Sequence, residues 1–265
     1  MKKILIPAFT IIIIFSIGCN ETAYLSPLNS ISHTYHTIPL NSDKLKGATY
    51  VNANLTTGGA NLDLNDDVFC FNTGIDRSFN FGKFQAYCSG NLSLGNYQMN
   101  EKNQNSYYYP EDTSTNKSFG AYGFNGAIDF VLPFDNGGEW RVLGLETSLQ
   151  REFGNYLQFR KNFDDPNALI VQTSDWVNTL GIYTEFAWKA WDDGSFGFKI
   201  ASGGTFVSSK NYVGLESYHT PGYFSITYRL TKDRTTGFLE MVTGTYAANL
   251  QLGVNYCLSH NKHNL

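Results

Sequence analysis

Histidine is the side chain best suited to acid–base and metal chemistry near neutral pH, and the 265-residue chain has five histidines. His33 and His36 fall in a polar N-terminal stretch, His219 in a long connection, and His260 and His263 near the C-terminus, so none falls on a predicted strand. The two His-x-x-His spacings allow metal binding, and the simpler alternative is that these histidines are solvated. We favour the alternative and predict no metal site.

Catalysis needs a nucleophile and a base within hydrogen-bond reach of each other, and no such pair can be named at helix or strand spacing. The glycine pairs Gly58-Gly59 and Gly203-Gly204 do not open a helix and lack a following Lys-Ser/Thr, so they form no phosphate-binding loop. The formal charge of -4 offers no basic surface for nucleic acid. We predict that the protein is not an enzyme, holds no cofactor and binds no nucleic acid.

The cysteines Cys70 and Cys88 fall on neighbouring predicted strands joined by a short turn. A register centred on Phe79 would place the two thiols opposite each other, so an oxidising compartment would allow a cross-strand disulfide. The alternative is that they are small apolar residues on the outer face of the strands. No Cys-x-x-Cys occurs, so a thiolate zinc site is not indicated.

The N-terminus has the pattern of a signal peptide, because two lysines precede an apolar run over residues 4–17. The run is shorter than the ~20 residues that cross a bilayer as a helix, so a permanent transmembrane anchor is the weaker interpretation. It ends at Ser16-Ile17-Gly18-Cys19, which resembles a bacterial lipobox, in which residues 1–18 are removed and the Cys19 sulfur receives a lipid such as palmitate. The alternative is an ordinary secretory signal. We expect lipidation at Cys19, followed by a polar tether or plug over residues 19–46.

From Gly47 onward the hydrophobic pattern has a period of two, which is typical of β-strands with one apolar face. In the clearest segment, Leu250, Leu252 and Val254 alternate with polar residues. The predicted strands are 47–56, 66–75, 80–92, 119–132, 139–153, 176–190, 195–207, 221–231, 237–243 and 246–258.

Such strands can surround an apolar core or turn their apolar face towards lipid. The polar parity consists mainly of Gly, Asn, Gln, Ser and Thr, with fewer charges than a water-facing surface carries. Its few charges form a balanced set that would pair inside a narrow interior. This set comprises Lys83, Lys189, Lys199, Arg229, Asp129, Glu146, Glu152, Glu185 and Glu240.

The predicted connections alternate between long and short, as in outer-membrane barrels with long outer loops and short periplasmic turns. Trp176 and Trp188 share a parity and lie about 30 Å apart along the membrane normal, close to the spacing of two interfacial girdles. Arg141 and Arg151 are expected to reach the two head-group layers. We predict an all-β fold over residues 47–258, an antiparallel up-and-down β-barrel of outer-membrane type with about ten strands (8–10), followed by a C-terminal tail, 259–265.

The segments Gly120-Ala121-Tyr122-Gly123-Phe124-Asn125-Gly126 and Glu139-Trp140-Arg141-Val142-Leu143-Gly144-Leu145-Glu146, together with the lipobox, resemble uncharacterised outer-membrane β-barrel lipoproteins of the Bacteroidota. The resemblance spans most of the chain and rests on loose motifs. It implies an outer-membrane location and supplies no catalytic or binding residues.

The connection between residues 95 and 118 contains Tyr107-Tyr108-Tyr109, and exposed tyrosines supply contact area at low entropic cost. These tyrosines are therefore a candidate recognition surface for a surface protein or glycan, and the alternative is that they fold over the barrel rim. We predict a lipid-anchored outer-membrane barrel with a structural or surface-interaction role. The alternative function is a soluble, lipid-tethered, lipocalin-like barrel that binds a small hydrophobic ligand.

Overall fold

The computed structural model describes residues 23–43, 45–61, 64–100, 115–163, 170–191, 194–206, 209–210 and 220–262. Ten long strands close into one barrel. They are β1 (Leu45–Ala60), β2 (Asp66–Asn80), β3 (Phe84–Gln98), β4 (Asn116–Pro133), β5 (Glu139–Phe153), β6 (Trp176–Trp191), β7 (Gly194–Phe206), β8 (Gly222–Lys232), β9 (Thr235–Gly244) and β10 (Ala247–Lys262). No helix within these ranges is long and apolar enough to cross a membrane.

Each strand pairs antiparallel with the next in sequence, and β10 closes the barrel against β1, with Leu252 opposite Leu55. The predicted up-and-down barrel of ten strands is therefore confirmed. Several strands are longer than expected, because pairing continues past the residues that carry clear alternation. The last strand, for example, extends to Lys262, so the backbone of His260 belongs to a strand instead of a C-terminal tail.

The apolar parity of the strands faces outward and the polar parity faces the lumen. Leu252 is 62% exposed, whereas its neighbour Gln251 and Asn255 on the opposite parity are fully buried. The same division holds around the barrel, as with exposed Phe124 and buried Asn125. A lipocalin-like cup needs the reverse arrangement, with apolar side chains inside. The structure therefore contradicts the apolar interior on which the alternative function depends.

The two ends of the barrel differ in the length of their connections. At one end, the long-loop end, the strands are joined by residues 61–65, 99–115, 154–175, 207–221 and 245–246. At the other end, the short-turn end, they are joined by residues 81–83, 134–138, 192–193 and 233–234. The predicted asymmetry is present, with 61–65 and 245–246 as short members of the long-loop end.

The chain before β1 runs through the lumen from the long-loop end to the short-turn end. We call residues 23–43 the lumenal segment; it contains the short helix α1 (Leu28–Ile31) and a 3-10 turn at Asn41–Asp43. Residues 23–40 are buried almost throughout. At the long-loop end, the helix α2 (Asn155–Asn162) and a three-stranded sheet formed by Ala23–Tyr24, Ile170–Gln172 and Ser209–Lys210 cover the opening.

The possible disulfide between Cys70 and Cys88 does not form, because the β2–β3 hairpin has a different register. Its turn contains Gly82, whose φ of 85° is readily adopted only by glycine. Cys70 therefore pairs with Gly95, and Cys88 pairs with Arg77, seven residues farther along β2. The odd offset also places the two free thiols on opposite faces, Cys70 buried and Cys88 exposed.

Three basic residues also lie elsewhere than expected. Lys83 is exposed in a turn, and Lys189 is exposed at the short-turn end of β6. Arg141 was expected at a head-group layer but is fully buried in the lumen. A bulge between Arg141 and Gly144 inserts one residue into β5, so Arg141 faces inward although Leu143 faces outward.

Candidate functional site

The barrel wall binds the backbone of the lumenal segment through its amide side chains. The donor–acceptor pairs are Asn125 to Ser32 O, Gln251 to His33 O, Asn255 to Tyr35 O and Gln85 to Pro39 O. Each buried polar group without a partner costs about 1–3 kcal/mol, so these bonds favour the enclosed state of the segment. The polar parity recognised in the sequence is thus a binding surface for the chain's own N-terminal part.

Midway along the lumen, His33 lies within a charged cluster of the wall. Its ring stacks on Tyr223 with centroids 3.7 Å apart, and its Nδ1 lies 3.7 Å from Glu146 Oε1. Lys199 Nζ lies 2.5 Å from Glu146 Oε2, and the Tyr223 hydroxyl donates to Glu146 Oε1 at 2.8 Å. These four residues are at most 8% exposed. The charged cluster therefore holds His33, and with it the lumenal segment, against the barrel wall.

His36 is enclosed in a similar way. Its ring lies against Tyr87 with centroids 4.5 Å apart, and its Nδ1 lies 3.5 Å from Asp76 Oδ1. Asn52 donates to the same carboxylate oxygen at 2.7 Å. The expectation of solvated histidines is therefore wrong for His33 and His36, because the segment that carries them lies inside the barrel. Within the described ranges, no three His, Cys, Asp or Glu side chains are placed to hold a metal ion.

Two arginines and two glutamates form a buried cluster towards the short-turn end, which we call the guanidinium cluster: Glu139, Arg141, Glu185 and Arg229. Arg141 contacts Glu139 at 2.8 Å and Glu185 at 2.6 Å, and it also donates to Ile38 O of the lumenal segment at 2.9 Å. Arg229 contacts Glu185 at 2.8 Å. The charges within the cluster balance, which offsets part of the cost of burying them.

Tyr35 connects the lumenal segment to the guanidinium cluster, since its hydroxyl donates to Glu185 Oε1 at 3.2 Å. Just beyond it, a cavity of about 250 Å³ opens at the short-turn end between the segment and the strand ends. Leu40, Asp43, Lys189 and Arg229 contribute to its lining. The guanidinium cluster therefore lies between the enclosed lumen and an open mouth.

An aromatic cluster seals the long-loop end. Tyr24 of the lumenal segment packs edge-on against Phe159 and Phe163, with centroids 5.2 and 4.9 Å away. Tyr156 of α2 stacks on Tyr97, and its hydroxyl donates to Leu25 O at 3.1 Å. Burial raises the pKa of the Tyr156 hydroxyl above its usual value.

A charged contact anchors the same seal. Arg160 of α2 pairs with Glu152 at 2.5 Å and donates to Gln172 O at 3.0 Å. Ser26 of the lumenal segment donates to the other oxygen of Glu152 at 2.5 Å. The helix and the segment thereby meet at the Glu152 carboxylate, and Arg160 also joins the three-stranded sheet to them.

The ionisable residues that face inward are not balanced, contrary to the sequence expectation. Among the described barrel strands, eight acidic and four basic side chains are buried. The acidic ones are Asp66, Asp76, Asp129, Glu139, Glu146, Glu152, Glu185 and Glu240, and the basic ones are Lys117, Arg141, Lys199 and Arg229. The wall of the lumen therefore carries an excess of acidic groups.

Sequence reasoning missed several of these residues for two reasons. Asp76 and Lys117 were missed because the predicted strands ended at 75 and began at 119, and extending the alternation by a few residues would have found them. Glu139 and Arg141 were missed because the β5 bulge reverses their face. Tyr50, Tyr87, Tyr183 and Tyr223 also face inward and are buried.

Other candidates lie outside the described residues. They are Cys19, Tyr107, Tyr108, Tyr109, His219 and His263. His260 has a described backbone only, so its predicted role in a His-x-x-His pair stays a prediction.

Comparison with solved structures finds outer-membrane proteins of similar architecture. The chain is similar to the beta domain of the Bordetella autotransporter Brka, with a TM-score of 0.43 and 12% identity over 80% of this chain and 100% of that chain. It is similar to an outer membrane channel from Pseudomonas putida F1, with a TM-score of 0.42 and 8% identity over 84% and 98%. For Neisserial surface protein A the values are 0.35 and 11% over 80% and 96%. No family model and no curated protein matches the chain.

The guanidinium cluster predicts different effects for two arginines on the same strand. Arg141→Met removes a buried cation and leaves the Glu139 carboxylate and the Oε2 atom of Glu185 without a cationic partner. The change should therefore lower the free energy of unfolding by about 3–5 kcal/mol. Arg151→Met is the control, because Arg151 is exposed and its contact to Asp175 at 3.4 Å contributes about 0–1 kcal/mol. Urea unfolding in detergent micelles measures both, and equal losses would contradict the buried cluster.

The acidic excess predicts the selectivity of the empty lumen. The intact protein should not conduct in planar lipid bilayers, whereas deletion of residues 24–40 should give a small channel that prefers cations, because water then fills a lumen with acidic walls. Adding Asp129→Asn and Glu146→Gln to the deletion should reduce the preference. An anion-preferring channel, or a folded deletion variant without conductance, would contradict the analysis.

Proposed function

We propose that this chain is a lipid-anchored β-barrel of the bacterial outer membrane, closed by its own N-terminal segment, with a structural or surface-interaction role. The observation that carries this proposal is the apolar outer belt. All ten strands contribute large hydrophobic side chains that are exposed, among them Leu55, Phe71, Leu145 and Leu252. Soluble proteins rarely expose a continuous apolar surface of more than a few hundred Å².

The residues at the ends of the apolar belt also support a location in the outer membrane. Trp176 and Trp188 are both exposed at opposite ends of β6, where outer-membrane barrels carry interfacial aromatic girdles. Outer-membrane barrels have an even number of strands with short turns on the periplasmic side, and this barrel has ten strands with short connections at one end. On this basis the long-loop end faces the outside of the cell.

The lipid anchor rests on the sequence. Ser16-Ile17-Gly18-Cys19 resembles a lipobox, and the chain resembles outer-membrane β-barrel lipoproteins of the Bacteroidota. A diacylated sulfur at Cys19 adds roughly 0.8 kcal/mol of membrane affinity per buried CH₂ group.

The role is structural or recognitional because the lumen is occupied. The carboxylates of Glu146 and Glu185 contact the lumenal segment, through His33 and Tyr35, and both are at most 4% exposed. We therefore propose a non-enzymatic protein whose recognition surface for a surface protein or glycan is the connection with Tyr107, Tyr108 and Tyr109.

The membrane location and the lipid are tested together with Cys19→Ser. Wild-type protein should incorporate labelled palmitate and the variant should not, because the thiol is the acceptor. The purified variant should still need detergent, since its belt remains apolar. A variant that is monomeric and folded in buffer without detergent would refute the membrane barrel, and unchanged palmitate incorporation would refute the lipid site.

A triple variant with Tyr107→Ser, Tyr108→Ser and Tyr109→Ser tests the recognition surface. Binding of intact cells to immobilised glycans and to surface proteins of neighbouring cells should fall, because the aromatic contact area is lost. Resistance of the barrel to unfolding in detergent should stay unchanged. The control variant is Lys161→Ser, because Lys161 of α2 is exposed at the same end of the barrel. This control should bind as the wild type does. Equal binding by the triple variant would contradict this role.

A further inference from the structure

The two ends of the lumenal segment are attached to opposite ends of the barrel. Ala23 N donates to Asn61 Oδ1 at 2.8 Å, and Ala23 pairs with Ile170, so both contacts lie at the long-loop end. Ser42 Oγ donates to Gly137 O at 2.9 Å, in a connection of the short-turn end. The segment therefore traverses the full height of the barrel.

Its path between these points follows β10 step by step. Asn249 donates to Ser30 Oγ at 2.7 Å, Gln251 donates to His33 O at 3.3 Å, and Asn255 donates to Thr37 Oγ1 at 2.9 Å. Because β10 begins at the long-loop end and finishes at the short-turn end, the segment and β10 run in the same direction.

The reach of the chain then fixes where Cys19 can lie. Cys19 precedes Ala23 by four positions, and a fully extended chain covers at most about 3.5 Å per residue, so the sulfur can lie no farther than roughly 15–20 Å from the long-loop end. β10 has 16 residues, and a strand of that length at the usual tilt spans about 40 Å along the barrel axis. The short-turn end is out of reach.

We infer that the lipid-bearing N-terminus leaves the barrel at the long-loop end, so that the acyl chains enter the membrane leaflet on that side after the segment has crossed the membrane inside its own barrel. This inference rests on the proposed function for the lipid and for the membrane. Because the long loops face the outside of the cell, the acyl chains insert into the outer, cell-surface leaflet. An anchor on the periplasmic leaflet, next to the short turns, is incompatible with the path.

Both strands at the closure of the barrel bind the segment. Asn54 of β1 donates to Thr34 Oγ1 at 3.3 Å, and Asn255 of β10 donates to Tyr35 O at 3.2 Å. The segment therefore contacts the wall on both sides of the closure.

The direction of the segment is tested first in purified protein by disulfide trapping. In a background with Cys70→Ser, Cys88→Ser and Cys257→Ser, the pair Ser30→Cys with Asn249→Cys and the pair Thr37→Cys with Asn255→Cys should oxidise to cross-linked species. The swapped pairs, Ser30→Cys with Asn255→Cys and Thr37→Cys with Asn249→Cys, use the same four positions and should not. Cross-linking of the swapped pairs, or of none, would overturn the inference.

The location of the terminus is tested on cells with an octapeptide epitope inserted between Glu21 and Thr22. Reference epitopes are inserted between Asn105 and Ser106 at the long-loop end, and between Asp233 and Arg234 at the short-turn end. Palmitate incorporation confirms that each tagged protein is lipidated. Antibody binding is then measured on intact and on permeabilised cells. The N-terminal and the 105–106 epitopes should share one pattern of accessibility, and the 233–234 epitope should show a different pattern.

The outcomes separate this inference from the proposed function. If the N-terminal epitope behaves like the 233–234 epitope, the inference is wrong whatever the orientation of the barrel. If the 233–234 epitope alone is accessible on intact cells, the orientation in the proposed function is wrong, and the N-terminus still leaves at the long-loop end.

Discussion

Polar groups enclosed by a closed barrel need partners, and this need governs the rest of the structure. The ten strands turn their apolar parity outward, so amides, hydroxyls and charges fill the lumen wall. Each such group without a partner costs about 1–3 kcal/mol when it is buried. Eight strands leave an interior that side chains just fill, and ten leave more room. Here the lumenal segment occupies that room and supplies carbonyls, hydroxyls and imidazoles to the wall.

The same constraint explains how charge is distributed. Arg141 and Arg229 meet Glu139 and Glu185 where the segment nears the short-turn end, and Lys199 meets Glu146 where His33 stacks on Tyr223. Because these pairs also bond to the segment, the wall and the segment stabilise each other. In the closed barrel the segment fills the lumen. The excess of acidic groups therefore determines ion selectivity only when water replaces the segment.

The path of the segment connects the fold to the proposed surface role. Its ends are attached to opposite ends of the barrel, at Asn61 and at Gly137, so the barrel itself separates Cys19 from the short turns. A lipid on the same side as the long connections would hold those connections next to the cell surface. The seal formed by Tyr24, Phe159 and Arg160 closes the lumen on that side.

The ten strands and their outward apolar parity were predictable from sequence, because a period of two over long segments such as 246–258 is a local property. The sequence left open whether residues 19–46 form a tether or a plug, since their Ser, Thr, Asn and His composition is equally typical of a solvated tether. The structure places residues 23–40 inside the barrel. The inward turn of Arg141 and the offset of Cys70 from Cys88 depend on a bulge and a turn position that alternation does not encode. The sequence by itself therefore determined the barrel and its polar interior, whereas only the tertiary structure decided what fills that interior, because the contacts responsible join residues up to 220 positions apart.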